Sequence, residues 1–91
     1  MDNIKNNIKQ LEECLSLPKG SLENSFVQMD SLSAATVLST MMEEMIKGIA
    51  TAPAVFRQPH MAEGVTCILS NLSLLRELFM DDYADGTRTI N

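Results

Sequence analysis

One serine in this sequence lies where its hydroxyl could take part in chemistry. Ser31 follows Asp30 and directly precedes an apolar run with helical periodicity, residues 32–46, so a helix is expected to begin at Ser31. The ordinary interpretation is that Asp30 or Ser31 caps this helix, a role worth about 1 kcal/mol. A functional interpretation is that Ser31 carries a phosphodiester, which would lie at the positive end of the helix dipole.

The other reactive side chains form no pattern typical of an enzyme or a metal site. Cys14 and Cys67 fall in predicted helices, match no zinc-binding spacing, and are expected to be reduced thiols in or near the core. His60, the only histidine, has no nucleophile or acid that can be placed beside it and is expected at the surface. No Gly-rich phosphate loop, carboxylate pair or nucleophile elbow occurs, so the sequence predicts a non-catalytic protein that binds no metal.

Length and charge exclude further classes. The chain has 91 residues, 45% of them hydrophobic, and a net charge of −5 without a basic stripe, which disfavours nucleic-acid binding. Its longest apolar stretches are far shorter than the ~20 residues that a membrane span needs, and no signal peptide is recognisable. We therefore expect a monomeric cytoplasmic protein with one domain, residues 1–80, and an acidic surface that suits basic partners.

Hydrophobic periodicity predicts four helices around Ser31. The first covers residues 2–15 and ends before Pro18 and Gly20. These two residues begin a polar loop that reaches about Asp30. The loop is expected to be held to the core by its apolar side chains, Leu17, Leu22, Phe26 and Val27. The second covers residues 31–46 and is closed by Gly48. A short third helix over residues 54–57, with Pro53 in its first turn, is expected to be anchored by Val55 and Phe56.

The fourth helix is predicted over residues 60–79. An apolar seam runs along it at alternating three- and four-residue steps, formed by Met61, Val65, Ile68, Leu72, Leu75 and Phe79. Gly64 falls in its first turns, where it could permit close packing. Residues 81–91 have no periodicity and are predicted to form a disordered tail.

The second helix has two different faces. One should join the core and contains Ala34, Val37, Leu38, Met41 and Met45. The opposite one begins with an apolar residue beside Ser31 and ends in an acidic patch; it contains Leu32, Thr36, Ser39 and Glu43, with Glu44 extending the patch. This face is either an ordinary solvated surface or a docking surface.

Several segments, taken in order, resemble the acyl and peptidyl carrier protein family. They are Ser25-Phe26-Val27, then Asp30-Ser31-Leu32, then a helix rich in Val, Leu and Met, then the stretch from Ala54 to Glu63, AVFRQPHMAE. The resemblance covers about residues 4–74 and implies an all-α, four-helix carrier-protein bundle with a short third helix, here with an extended C-terminal helix. It departs from the family before the Asp-Ser pair, where a Gly is usual: either Gln28 replaces that Gly or the loop has lost a few residues.

The resemblance also implies a function. Ser31 would carry a covalent 4'-phosphopantetheine arm, on which acyl intermediates of polyketide or fatty-acid-type biosynthesis are held as thioesters. The implied partners are a phosphopantetheinyl transferase and a ketosynthase, acyltransferase or other synthase enzyme. These would dock on Asp30, Leu32, Thr36, Ser39, Glu43 and Glu44, with charge steering the encounter.

Two alternatives stay open at this point. A peptidyl carrier of nonribosomal peptide synthesis fits the VFRQPHMAE stretch, residues 55–63, equally well. A small helical regulatory or adaptor protein without a prosthetic group is favoured by the acidic charge, the missing Gly before Ser31 and the long terminal seam.

Overall fold

A computed structural model describes the backbone of residues 2–90 and the side chains of residues 3–85. Within that range the fold contains helices and no strand, which confirms the predicted all-α class. The five helices are α1 (Asp2–Cys14), α2 (Ser21–Val27), α3 (Ser31–Thr51), α4 (Pro53–Phe56) and α5 (Pro59–Ile90). No helix in the described part of the chain combines the length and the apolarity that a bilayer span requires.

The longest helix, α5, is the element on which the others pack. Both α1 and α3 lie against α5, α2 packs on α1, and the single turn of α4 lies between α3 and α5. One core fills the space between them, made of Ile8, Leu11, Phe26, Ala34, Ala35, Leu38, Leu72, Leu75 and Phe79. Methionines 29, 41, 42 and 45 pack around this core, in the gap-filling role that suits a flexible side chain.

The polar segment between α1 and α3 is not the loop that the sequence predicts. α1 ends where Leu17 N–H donates to Glu12 O and Ser16 N–H donates to Glu13 O, with Ser16 at a φ of 55°. A second short helix, α2, then forms and buries Phe26. Of the four apolar residues expected to hold this segment, Phe26 and Leu22 contact the core, whereas Leu17 and Val27 are exposed.

The predicted end of α3 at Gly48 is wrong. The helix continues through Gly48 to Thr51, and Ala52 then leaves helical geometry at a φ of −131°. The following residue is Pro53, whose ring disfavours a helical conformation in the residue before it, so proline and not glycine sets this boundary. Pro53 begins α4 as predicted, but Val55 is 47% exposed and does not anchor the turn.

The predicted core face of α3 is right in most positions. Ala34 and Leu38 are buried, and Met41 and Met45 pack against the core. Val37 is exposed instead and Ala35 is buried, because the buried face of α3 is centred near Leu38, one residue and about 100° of helical rotation away from Val37.

α5 extends beyond the end near Phe79 that the sequence predicts. It is helical through residues 81–85, which were expected to belong to a disordered tail, and its backbone reaches Ile90. The helix continues because the buried seam of Leu72, Leu75 and Phe79 is followed on the same face by Asp82, which accepts a hydrogen bond from Ser31 at the start of α3. The last residue of the predicted tail, Asn91, lies outside the described residues.

Gly64 does not permit the close packing that its position in α5 suggested, because no atom of a neighbouring element lies within 4 Å of where its Cβ would be.

Candidate functional site

Ser31 is the first residue of α3 and is half-buried. The preceding Asp30 occupies the N-cap position with an extended backbone, and its carboxylate makes no capping hydrogen bond. Because the first-turn N–H groups of a helix have no partner within it, this end of α3 retains donors for another acceptor. Because Ser31 is only half-buried, its side chain is not enclosed in the core. It lies at a helix amino terminus, as the sequence predicts.

Ser31 has a partner that the sequence did not predict. Its hydroxyl donates to Asp82 Oδ2 at 2.5 Å, which joins the start of α3 to the far part of α5. A hydrogen bond to an ionised acceptor is stronger than one between neutral groups. One sequence signal could have found Asp82: it follows Leu75 and Phe79 at seven and three residues, which continues the seam by one turn.

A cavity of about 560 Å³ opens beside this pair. Phe26 and Phe79 form part of its wall, with ring centroids 5.7 Å apart, and Ser31, Asp30 and Asp82 lie at its edge. The apolar part of the lining is completed by Ile4, Ile8, Val27 and Met29. Volumes of this order are typical of small-molecule sites, which are mostly apolar with a few polar groups.

The predicted docking face of α3 is a surface in the structure. Leu32 is 41% exposed, Thr36 and Glu43 are exposed, and Ser39 is half-buried between them. Thr36 Oγ1 donates to Leu32 O at 2.9 Å, so that hydroxyl is engaged with its own helix.

Glu44 lies apart from this face. Its Oε1 accepts from Lys47 Nζ at 3.4 Å, and the residue borders a groove with Thr40, Met41 and Met45. One residue in a helix corresponds to a rotation of about 100°, which takes Glu44 off the face that Glu43 shares with Leu32. The acidic patch expected at this end is therefore divided.

A buried carboxylate that the sequence did not predict organises α2. The carboxylate belongs to Glu12 of α1, which is 2% exposed. Glu12 Oε1 accepts from the N–H of Gly20 at 3.0 Å, and Oε2 accepts from Leu22 at 2.9 Å and Glu23 at 3.1 Å. The Gly20 bond in particular, with those of Glu23 and Leu22, lowers the pKa of Glu12 against the opposing effect of burial.

The two cysteines lie side by side. Cys14 Sγ and Cys67 Sγ are 2.9 Å apart, and the amide of Asn71 lies against both sulfur atoms. Cys14 is half-buried, but Cys67 is exposed, which corrects the expectation that both thiols lie in or near the core. No group of three metal-ligating side chains occurs among the residues that the structure describes, and His60 is exposed as predicted.

Comparisons with protein-family models, with curated proteins and with solved structures find no match to this chain. The chemistry of the site therefore has to be argued from its own residues.

Proposed function

We propose that this chain is an acyl carrier protein that holds acyl intermediates as thioesters on a 4'-phosphopantetheine arm attached to Ser31. The observation that carries the proposal is the position of Ser31, half-exposed at the start of the 21-residue helix α3 and at the edge of a cavity. In this role the chain is a substrate for other enzymes and performs no catalysis itself.

The residues around Ser31 fit such a group after one local change. Ser31 would hold it covalently, and the free N–H donors and dipole of α3 would stabilise its phosphodiester by about 0.3–1 kcal/mol. The bound arm supplies a thiol for thioester formation. Since the hydroxyl must be free to react, Asp82 has to release Ser31, and its charge together with that of Asp30 opposes the added phosphate.

The order of the helices supports the proposal as well. α1, α3, α4 and α5 follow one another as long, long, short and long, the order that the carrier-protein resemblance implies. α2 then falls in the segment that leads to the modified serine.

The apolar lining of the cavity favours acyl over peptidyl cargo. Phe26, Phe79 and Ile8 offer surfaces that an aliphatic chain can contact, and all three are buried, whereas the carboxylates that could accept from an aminoacyl ammonium, Glu23, Asp30 and Asp82, are half-buried or exposed parts of the lining. A peptidyl carrier of nonribosomal peptide synthesis remains the alternative within the same chemistry.

The exposed face of α3 would receive the partner enzymes, a phosphopantetheinyl transferase and a ketosynthase, acyltransferase or related synthase. Leu32 offers apolar contact next to Ser31, and Glu43 lies three turns farther along the same face. A basic partner surface would be steered by this charge. We propose that the protein acts as a cytoplasmic monomer.

Modification by a phosphopantetheinyl transferase tests the function directly. Incubation with coenzyme A and a promiscuous transferase should add one phosphopantetheine to the chain, measured as an increase in intact mass. The increase should disappear in Ser31→Ala and persist in Ser33→Ala, which removes an exposed hydroxyl two residues away on the same helix. An unchanged wild-type mass, or modification that survives Ser31→Ala, would contradict the proposal.

One observation favours a helical adaptor protein instead. A shallow apolar groove between α3 and α5 is bordered by Met42, Ile46, Leu69 and Leu74, and Ile46 is 55% exposed. Apolar side chains grouped in one exposed groove would offer contacts to an apolar face of a partner protein. A chain that stays unmodified in the transferase assay would support this function.

A further inference from the structure

The contact between Cys14 and Cys67 joins two helices that are far apart in sequence. Cys14 is the last residue of α1, Cys67 lies in α5, and 53 positions separate them. These are the only two cysteines of the chain. Their sulfur atoms, 2.9 Å apart, need less than about 1 Å of further approach to reach the covalent distance of about 2.05 Å.

The two thiols differ in their access to solvent. Cys67 is exposed, whereas Cys14 is half-buried behind it. The Cys67 side chain, together with burial, raises the pKa of Cys14, so Cys14 is the poorer nucleophile toward a dissolved reagent. Asn71 Nδ2 donates to Cys67 O at 2.8 Å and lies 3.5 Å from Cys14 Sγ and 3.6 Å from Cys67 Sγ, which fixes an amide donor beside both sulfur atoms.

We propose that Cys14 and Cys67 are a redox modification site that closes reversibly into an intramolecular disulfide by exchange with a low-molecular-weight disulfide. The pair is exposed on one side, is preorganised across the α1–α5 contact, and is independent of Ser31 and its function.

The exchange proceeds in two balanced steps. The Cys67 thiolate attacks one sulfur of a small disulfide such as oxidised glutathione, whose S–S bond breaks, releasing one glutathione thiolate and leaving a mixed disulfide on Cys67. Cys14 then loses its proton to solvent and attacks the Cys67 sulfur, which releases the second glutathione thiolate. Two protein thiols are oxidised and one small disulfide is reduced to two thiols.

The bond would change the stability of the fold. It would tie the end of α1 to α5 and close a long loop in the unfolded chain, which limits the conformations available to that state. For a domain of this size, a disulfide with an unstrained geometry should raise the melting temperature by roughly 10 °C or more.

Equilibration of the full chain with defined ratios of oxidised and reduced glutathione tests this site. After acid quenching, denaturation and alkylation, the oxidised wild type should be a monomer that carries neither an alkyl group nor glutathione. Cys14→Ser should retain one glutathione on Cys67, because the resolving thiol is missing. The oxidised wild type should also melt at a higher temperature than its reduced form, a difference absent from Cys67→Ser.

Three results would overturn the proposal. They are a wild type that carries glutathione on both cysteines, a wild type that accumulates as a disulfide-linked dimer, and a wild type that stays reduced at every glutathione ratio. Because Cys67 is exposed, Cys67→Ser should fold, and its circular dichroism spectrum provides the folding control.

Discussion

The hydroxyl of Ser31 donates to the carboxylate of Asp82, so the first residue of α3 is held by a residue that lies 51 positions later in α5. This bond occupies the one side chain on which the proposed function depends. It also places a negative charge where a phosphodiester would have to form. The same contact would therefore oppose the proposed modification.

Removing Asp82 should speed the modification of Ser31. In Asp82→Ala the hydroxyl loses its acceptor and the nearby charge, so the initial rate of phosphopantetheine transfer should rise several-fold. The measurement is the time course of intact mass with limiting transferase.

Asp81→Ala is the matched control for that rate. It makes the same substitution at an exposed neighbouring position in the same helix and should leave the initial rate unchanged. Equal rates in the wild type and Asp82→Ala would show that the Ser31 bond does not limit the reaction.

The seam of α5 should carry much of the stability. Leu72 is fully buried, and Leu72→Ala should lower the free energy of unfolding by about 2–5 kcal/mol, through lost apolar contact and the cavity left behind. Urea denaturation followed by circular dichroism measures this change. Leu74→Ala removes the same side chain two residues away, where it is 46% exposed, and should change the free energy by less than about 0.5 kcal/mol.

Glu12 should make the stability depend on pH. Its pKa in the folded state lies below the ordinary value of 4.5, so its stabilising effect is present above pH 4.5 and is lost as the pH falls through the folded-state pKa. Glu12→Gln should melt several degrees below the wild type at pH 7, because an amide nitrogen cannot accept from the N–H groups of α2.

Melting curves between pH 3 and pH 7 test this effect. The difference between the wild type and Glu12→Gln should shrink on the acid side of pH 4.5. Glu13→Gln, the same substitution at an exposed adjacent position, should melt at the wild-type temperature at pH 7. A constant difference between the wild type and Glu12→Gln would contradict the assigned role of the carboxylate.

Two glycines should respond in opposite ways to the same substitution. Gly48 lies inside α3 with open space around it, so Gly48→Ala should stabilise the protein by about 1 kcal/mol through helix propensity. Gly20 has a φ of 88°, and Gly20→Ala should cost roughly 1 kcal/mol in backbone strain. Thermal unfolding of both variants measures the two signs, and a destabilised Gly48→Ala would mean that α3 is shorter than the structure shows.

Sequence patterns were sufficient for features that depend on a single helix. Periodicity predicted the first helix, the start of α3 at Ser31 and the second half of the α5 seam, because these features depend on apolar side chains within one element. Leu72, Leu75 and Phe79 are buried, whereas the first half of the predicted seam, Met61, Val65 and Ile68, is only half-buried. Sequence patterns failed at the end of α3: Gly48 was predicted to end the helix, but the helix continues to Thr51, two residues before Pro53.

Features that depend on contacts between distant residues could not be predicted in this way. α2 relies on Glu12 to accept hydrogen bonds from the N–H groups at its start. The polar stretch that follows Pro18 gives no sign of this buried partner, which lies in α1. The Asp82 bond to Ser31 and the approach of Cys14 to Cys67 likewise join residues more than 50 positions apart. Side-chain spacing along a helix reports which face is buried but not what lies against it.

The length of α5 has a consequence for motion in solution. Its 32 residues extend for about 48 Å, close to the 50 Å long axis of a molecule whose other dimensions are 25 and 17 Å. Such a body rotates faster about its long axis than end over end. The N–H bonds of α5 lie nearly along that axis, so the slow end-over-end rotation governs their reorientation. Their effective rotational correlation times in nuclear magnetic relaxation should therefore be longer than those of N–H bonds inclined to the axis.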